Sequence, residues 1–323
     1  MERKLNSGNT DRDDLLSEQS EREGEASSGF AGEGGDVSPS NRQRLPPWFK
    51  VKLENGPQFQ QMKSLVKTLG LHTVCEEARC PNQWECWNRG TATFMILGDI
   101  CTRSCGFCAV TTGKPSGLDW DEPRRVGRAV NRLGLNHAVI TSVNRDELED
   151  GGAGIFANTV EEVRAQNRDC TIEVLIPDFQ GSYDALLKIL DVKPDILNHN
   201  LETVPRLYSK VRPQAKYSRS MEVLDRSKKS GLTTKTGIMV GLGETLDEIK
   251  KVMEELVLIQ CDIMTIGQYL QPTKDHLPVE RYYAPEEFIR FKELGEKTGI
   301  PHVESGPLVR SSYHADDQAM RVF

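Results

Sequence analysis

No apolar run in this chain of 323 residues approaches the ~18–20 residues that cross a bilayer, so an integral membrane protein is not expected. The opening MERKLNSGNTDRDDLLSEQSE has no apolar core of the kind an export signal carries. It is also acidic, where an organellar transit peptide is basic. Basic residues do not predominate: 41 Lys and Arg stand against 48 Asp and Glu, a net charge of −7. An extended nucleic-acid surface is therefore not expected. Internal repeats are absent. Residues 1–44 have almost no aromatic residues and are rich in Gly, Ser, Asp, Glu and Arg. Such a segment cannot bury enough apolar surface to offset its ordering entropy, and a disordered acidic tail is expected there. With nothing to export it, the chain is expected in the cytoplasm, with its thiols reduced.

Eight cysteines in a reducing compartment read as metal ligands or catalytic groups before they read as disulfides. Six of them lie in CEEARCPNQWECWNRGTATFMILGDICTRSCGFC, residues 75–108, as C-x4-C-x5-C followed by C-x3-C-x2-C. Neither triplet has a fourth cysteine. Structural zinc usually takes four ligands, and the nearest histidine, His72, reads as a surface residue. Three thiolates suit a [4Fe–4S] cube better, because they leave one iron open for chemistry. The spacing of CTRSCGFC also differs from the C-x2-C-x2-C-x3-C-P run of ferredoxins, which favours a reactive centre over electron storage. A zinc site or free thiols are the alternative. Cys170 and Cys261 read as buried structural thiols.

From residue 92 onward, short β-branched runs alternate with amphipathic stretches. The strand candidates are residues 93–97, 137–143, 171–177, 195–200, 235–241 and 262–269. Between and after them lie helical patterns such as EPRRVGRAVNRLG, NTVEEVRAQN and TLDEIKKVMEELVLIQ. This alternation implies a parallel sheet with crossover helices. The α/β class is expected, as a partial, open (β/α)6 barrel; a doubly wound open sheet is the alternative. Either way the chemistry belongs at the C-terminal ends of the strands. Cys101, Cys105 and Cys108 fall just past the first strand. SVNRDE (142–147), LNHNLE (197–202), GLGET (241–245) and QYLQPT (268–273) fall at later strand ends. Asn200 and Glu202 suit ribose hydroxyls there, and Arg212 suits a carboxylate; each also suits a surface ion pair. Gly241, Gly243 and Glu244 form either a plain turn capped by Thr245 or a bare backbone that a ligand approaches. Trp84 and Trp87 are expected to pack around the first triplet.

The C-x3-C-x2-C motif with Phe107 before its last cysteine resembles the radical S-adenosylmethionine superfamily. More narrowly, CEEARCPNQWECW, GDICTRSCGFCAV, TSVNRDEL, LIPDFQG, LNHNLETV, VRPQAKYSRS, GIMVGLGET, QYLQPT and SGPLVRSSYHAD resemble the lipoyl synthase family, from about residue 45 to the C-terminus. The resemblance implies that Cys101, Cys105 and Cys108 hold a cluster whose open iron binds S-adenosylmethionine, and that reductive cleavage yields a 5′-deoxyadenosyl radical. It implies a second [4Fe–4S] cluster on Cys75, Cys80 and Cys86, with Ser312 of RSSY as fourth ligand, consumed as sulfur donor to C6 and C8 of an octanoyl group. Phe107, Asn200, Glu202, Arg212, Gly241 and Gly243 are the expected cofactor contacts. The implied partners are octanoylated lipoyl domains of 2-oxoacid dehydrogenase complexes, the glycine cleavage H protein, a reductant such as ferredoxin or flavodoxin, and a cluster-rebuilding protein. No nucleic acid and no membrane are implied.

The chain is accordingly expected to divide into a tail (1–44), an N-terminal extension with the auxiliary ligands (45–91), the partial barrel (92–300) and a closing segment with RSSY (301–323). Biotin synthases and methylthiotransferases are the competing enzymes, but lack the upstream triplet and the RSSY end. A metal-stapled interaction module is opposed by the acidic balance and the strand–helix units. Anaerobically reconstituted protein should carry roughly eight irons and roughly eight sulfides per chain, as two cubanes; stoichiometric zinc without sulfide in elemental analysis would refute this reading.

Overall fold

The computed structural model describes residues 45–51 and 56–320. The expected disordered tail lies outside the described residues. The ten strands are β1 (His72–Thr73), β2 (Thr93–Ile96), β3 (Ile100–Cys101), β4 (Thr111–Thr112), β5 (His137–Ser142), β6 (Thr171–Leu175), β7 (Ile196–Asn198), β8 (Thr233–Val240), β9 (Ile263–Gln268) and β10 (His302–Gly306).

The main sheet has eight strands in the order β1-β2-β5-β6-β7-β8-β9-β10. Strand β1 pairs antiparallel with β2, and every other neighbour is parallel. Strand β10 pairs with β9 alone and does not return to β2, so the sheet is an open, partial barrel. All six expected strands are present. Strand β10 extends the sheet from within the closing segment.

A helix crosses between each successive pair of parallel strands: Glu122–Leu133, Ala153–Gln166, Tyr183–Asp191, Tyr217–Lys229, Leu246–Leu258 and Pro285–Thr298. Local chemistry sets their ends. Gly134 stops the first in a left-handed C-cap. Thr245 caps the fifth, and Glu248 returns the bond in a capping box, as expected from GLGET. The second helix begins earlier than NTVEEVRAQN suggests. Asp150 accepts the Gly152 and Gly154 amides at 2.9 and 3.0 Å, so the glycine-rich turn leads directly into helix. The helix Pro57–Thr68 precedes the sheet and buries Phe59, Met62 and Val66. Among the described residues, no helix is long and apolar enough to cross a membrane.

The sheet interior is mostly apolar, with one charged exception. Glu173 and Lys235 are both fully buried and pair at 2.9 Å. Asn198 donates to the same carboxylate at 2.8 Å, and His137 lies 3.6 Å from it. Burial pushes the Glu173 carboxyl up, but Lys235 and His137 outweigh it and hold it down at about 2. A carboxyl depressed in the folded state stabilises above its unfolded value near 4.5 and loses that contribution as pH falls toward 2. Removing one partner strands a buried charge. Lys235→Ala should lower the free energy of unfolding at neutral pH by about 3–5 kcal/mol in denaturant titration; an unchanged midpoint would refute this.

Candidate radical and sulfur-donor site

Strand β2 ends in a turn through Leu97 and Gly98, both at positive φ. The chain then enters the loop that carries the second triplet. The short parallel ribbon of β3 and β4 closes this loop at its base. Three neighbours hold it. Thr102 donates its amide and its hydroxyl to the Asn144 carbonyl, each at 3.0 Å. The Gly106 amide donates to Val211 at 2.9 Å, and the Leu277 amide donates to the Gly106 carbonyl at 2.9 Å. His276 Nε2 lies 2.9 Å from the Cys108 carbonyl. Arg103 is buried and anchors the loop from beneath, bidentate to Asp146 at 2.7 and 2.8 Å and 2.6 Å from Asp178. Burial opposes ionisation of Asp178, yet the Arg103 guanidinium holds it at about 2.

The first triplet sits on two short helical pieces. Thr73 caps the helix Val74–Glu77, which buries Cys75. Arg79 turns the chain at φ 51°, and the Cys80 amide returns to the Cys75 carbonyl at 3.1 Å. Cys86 follows on the helix Gln83–Asn88. As expected, the two tryptophans support this piece. Trp84 stacks on Phe59 with centroids 4.2 Å apart, and Trp87 is fully buried beside the same ring.

All six triplet cysteines and Ser312 line one cavity of about 520 Å³, together with Phe107, Asn200, Glu202 and Arg212. Ser142, Met239 and Gly267 also face it, so it opens at the C-terminal ends of the parallel strands. All eight cysteines are free. Burial pushes Cys75 and Cys105 up to about 12 and Cys108 to about 11. Cys80 and Cys86 are raised by burial too. Neighbouring thiols add to burial at four of them: Cys80 raises Cys75, Cys75 and Cys80 raise Cys86, Cys108 and Cys101 raise Cys105, and Cys101 raises Cys108. Desolvated sulfurs crowded in one cavity fit a polynuclear cation that supplies the missing positive charge. Among the described residues, no three His, Cys, Asp or Glu converge closely enough to share a single metal ion. A cubane does not ask for that, because each thiolate binds a different iron.

Polar groups along the strand ends fit a nucleoside and amino-acid ligand. Asn144 Oδ1, Asn200 Oδ1, Ser142 Oγ and Arg212 Nε are buried without a hydrogen-bond partner. Arg212 already donates Nη1 to the Asn200 carbonyl at 2.6 Å, and burial raises the neighbouring Glu202 carboxyl. Arg310 also lines the cavity and interacts electrostatically with Cys80 and with Glu202. Gly241 and Gly243 do not line the cavity. Gly241 adopts φ +101°, and a Cβ there would meet Gln268 Nε2 at 2.1 Å and the Arg281 carbonyl at 2.5 Å. Glu244 folds back to accept the Gly241 and Leu242 amides at 2.6 and 2.9 Å. Protein atoms thus crowd Gly241, and the turn requires its bare backbone. Cys261 is buried and Cys170 half-buried, and neither lines the cavity.

Asn144 was not singled out by its position in SVNRDE. Its amide and side-chain nitrogen lie 3.3 and 3.8 Å from Cys101 Sγ, and the Arg103 amide lies 3.4 Å from the same sulfur.

Comparisons with known proteins agree with this geometry. A model of the radical SAM superfamily matches residues 95–256, and a model of the N-terminal domain of lipoyl synthase of the radical SAM family matches residues 2–80. The second match takes in the acidic tail, which the motifs from residue 45 onward do not reach. The lipoyl synthase of Rubrobacter xylanophilus is 59% identical over 279 residues, covering 86% of this chain and 87% of that one. The lipoyl synthase of Symbiobacterium thermophilum is 57% identical over 278 residues, covering 85% and 87%. Among solved structures, Streptococcus suis SuiB bound to S-adenosylmethionine aligns with a TM-score of 0.54 at 12% identity, over 77% of this chain and 61% of that one, which speaks to fold alone.

An open parallel sheet with a cysteine triplet at its first strand end defines a radical S-adenosylmethionine enzyme. With more than half of its residues shared with curated relatives over most of its length, the chain belongs to the lipoyl synthase family. It is a sulfur-inserting enzyme that uses S-adenosylmethionine and [4Fe–4S] clusters, one of them auxiliary, and acts on octanoylated lipoyl domains.

The closing segment is seated by contact with β9. A Cβ on Gly267 would meet the Val309 carbonyl oxygen at 2.0 Å, and the Gln268 amide donates to Pro307 at 3.3 Å. Gly267→Ala should cost about 1–3 kcal/mol by overpacking and speed hydrogen exchange at the Gln268 amide. Wild-type stability and exchange would show that the segment yields freely.

Proposed function

We propose that the two triplets divide the reaction. Cys101, Cys105 and Cys108 hold the cluster that works with S-adenosylmethionine, and Cys75, Cys80, Cys86 and Ser312 hold the cluster that gives up sulfur. The observation that carries this reading is that all six cysteines and Ser312 line one cavity at the strand ends. Carbons 6 and 8 of an octanoyl chain carry C–H bonds that no side-chain acid or base can ionise. Bound S-adenosylmethionine supplies the hydrogen-abstracting radical that such bonds require.

The chain's own residues bind, orient and exclude water. The Arg103–Asp146–Asp178 network and the Thr102–Asn144 bonds fix the loop of Cys101, Cys105 and Cys108. Phe107 shields that loop, packing partly buried against the apolar core. Asn200, Glu202 and Arg212 line the cavity and would offer polar atoms to the ribose and to the methionyl end of bound S-adenosylmethionine. Arg310 offsets negative charge at Cys80 and at Glu202. The auxiliary cluster is a substrate, since its sulfide ends in the product.

Residues 45–91, 92–300 and 301–323 are the working divisions: donor-site extension, barrel and closing segment. The carriers are octanoylated lipoyl domains of 2-oxoacid dehydrogenase complexes and the glycine cleavage H protein. A ferredoxin or flavodoxin delivers electrons, and a cluster-rebuilding protein restores the donor. We place the reaction in the cytoplasm.

Two variants separate the roles. Cys105→Ala should abolish cleavage of S-adenosylmethionine and with it every product. Cys80→Ala should still yield 5′-deoxyadenosine from an octanoylated lipoyl-domain peptide but no lipoyl group. Mass detection of both products under anaerobic single turnover decides the matter; cleavage lost in Cys80→Ala and kept in Cys105→Ala would reverse the assignment.

A further inference from the structure

Ser312 lies between two anchored stretches of the closing segment, and apart from the β9 contacts of Pro307 and Val309 the anchors come from the helix that carries Cys86 and its caps. Ahead of the serine, buried Asn82 donates to the Leu308 carbonyl at 2.6 Å. Behind it, Glu85 accepts from the Tyr313 hydroxyl at 3.1 Å and lies 2.8 Å from His314 Nε2. Arg89 then donates to Asp316 at 3.2 Å and to Asp317 at 2.9 Å. Asn82, Glu85 and Arg89 recur at helical spacing and so share one face of the piece that flanks Cys86. The Tyr313 and His314 rings stack 3.9 Å apart. His314 takes a positive φ of 51°, which bends the chain between Ser312 and the helix Ala315–Met320.

We propose that Glu85 and Arg89 are positioning residues that latch the closing segment and hold the Ser312 hydroxyl at the fourth corner of the donor cluster. This rests on the reading of Ser312 as a ligand. An alkoxide is a hard ligand and a poor match for an iron that prefers thiolate. Its occupancy therefore depends on how tightly the chain confines it near the metal. Three anchors on both sides of one serine supply that confinement. The ion pairs to Arg89 are about one-third exposed, and such pairs are weak singly. The latch therefore places the serine without fixing it permanently, which suits a cluster that is dismantled in each turnover.

The test is the rate at which a chelator removes iron from the reconstituted full-length holoenzyme. The phase that Ser312→Ala accelerates identifies the donor cluster. Arg89→Asp should accelerate the same phase about tenfold, the scale on which outer-shell partners act on metal sites. The double variant Arg89→Asp with Ser312→Ala should release iron no faster than Ser312→Ala alone, because the latch acts only through the serine. Adding Asp316→Arg and Asp317→Arg to Arg89→Asp should restore the wild-type rate. If Ser312→Ala accelerates release and Arg89→Asp does not, there is no latch. Additive effects in the double variant would overturn it as well, showing general loosening of the fold. If Ser312→Ala itself leaves the rate unchanged, the ligand reading fails and the latch falls with it.

Discussion

A thiol taken out of water keeps its proton, and thiols crowded together keep theirs more firmly. Cys75 and Cys105, both raised to about 12, bind protons that neutral water alone will not remove. The architecture around them depends on this constraint. Each triplet is stable as thiolate only around a source of positive charge, and the surrounding loops are shaped to enclose that source. Hence the second triplet is pinned by partners from the segments that follow three separate strands, and the first is wedged against a stacked Phe59 and Trp84.

The open sheet follows from the same need. The cavity bearing both cysteine sets opens at the C-terminal ends of the parallel strands, and the open sheet leaves room beside it for segments from outside the barrel. Here one edge is the antiparallel β1 and the other is β10, with no ladder joining them. Segments from both ends of the described chain meet across this region, through Asn82 to Leu308 and Arg89 to Asp317. On the proposed assignment, the donor ligands come together at that meeting, whereas Cys101, Cys105 and Cys108 lie within a single strand-to-helix loop and its immediate neighbours.

Much of the fold was legible in the sequence because parallel strands buried on both faces read as β-branched runs. Strands β2 and β5 to β9 announced themselves in this way. Strand β10, HVESG, did not: only His302 and Val303 are buried, and its polar residues hide the pattern. The cysteine sets were legible because ligand spacing is a local property. Ser312 was visible only through the resemblance of RSSY to a family motif. Asn82, Glu85 and Arg89 left no trace, since their partners lie more than two hundred residues away. Gly241 and Gly243 illustrate the converse. Their strand-end position suited both a turn and a ligand contact, and sequence could not show that Gln268 and Arg281 crowd Gly241.

Strand order in the main sheet follows chain order without interruption, from β1 and β2 through β5 to β10. As the chain leaves the ribosome, each new strand can therefore dock on the one before it, and no earlier strand must wait for a distant partner. The radical loop, after the first parallel strand, has its sheet support early. Ser312 emerges only after all the strands. On the proposed division of roles, a chain ending just after β10 would keep the whole sheet and both cysteine triplets, yet lack the hydroxyl that completes the donor ligand set.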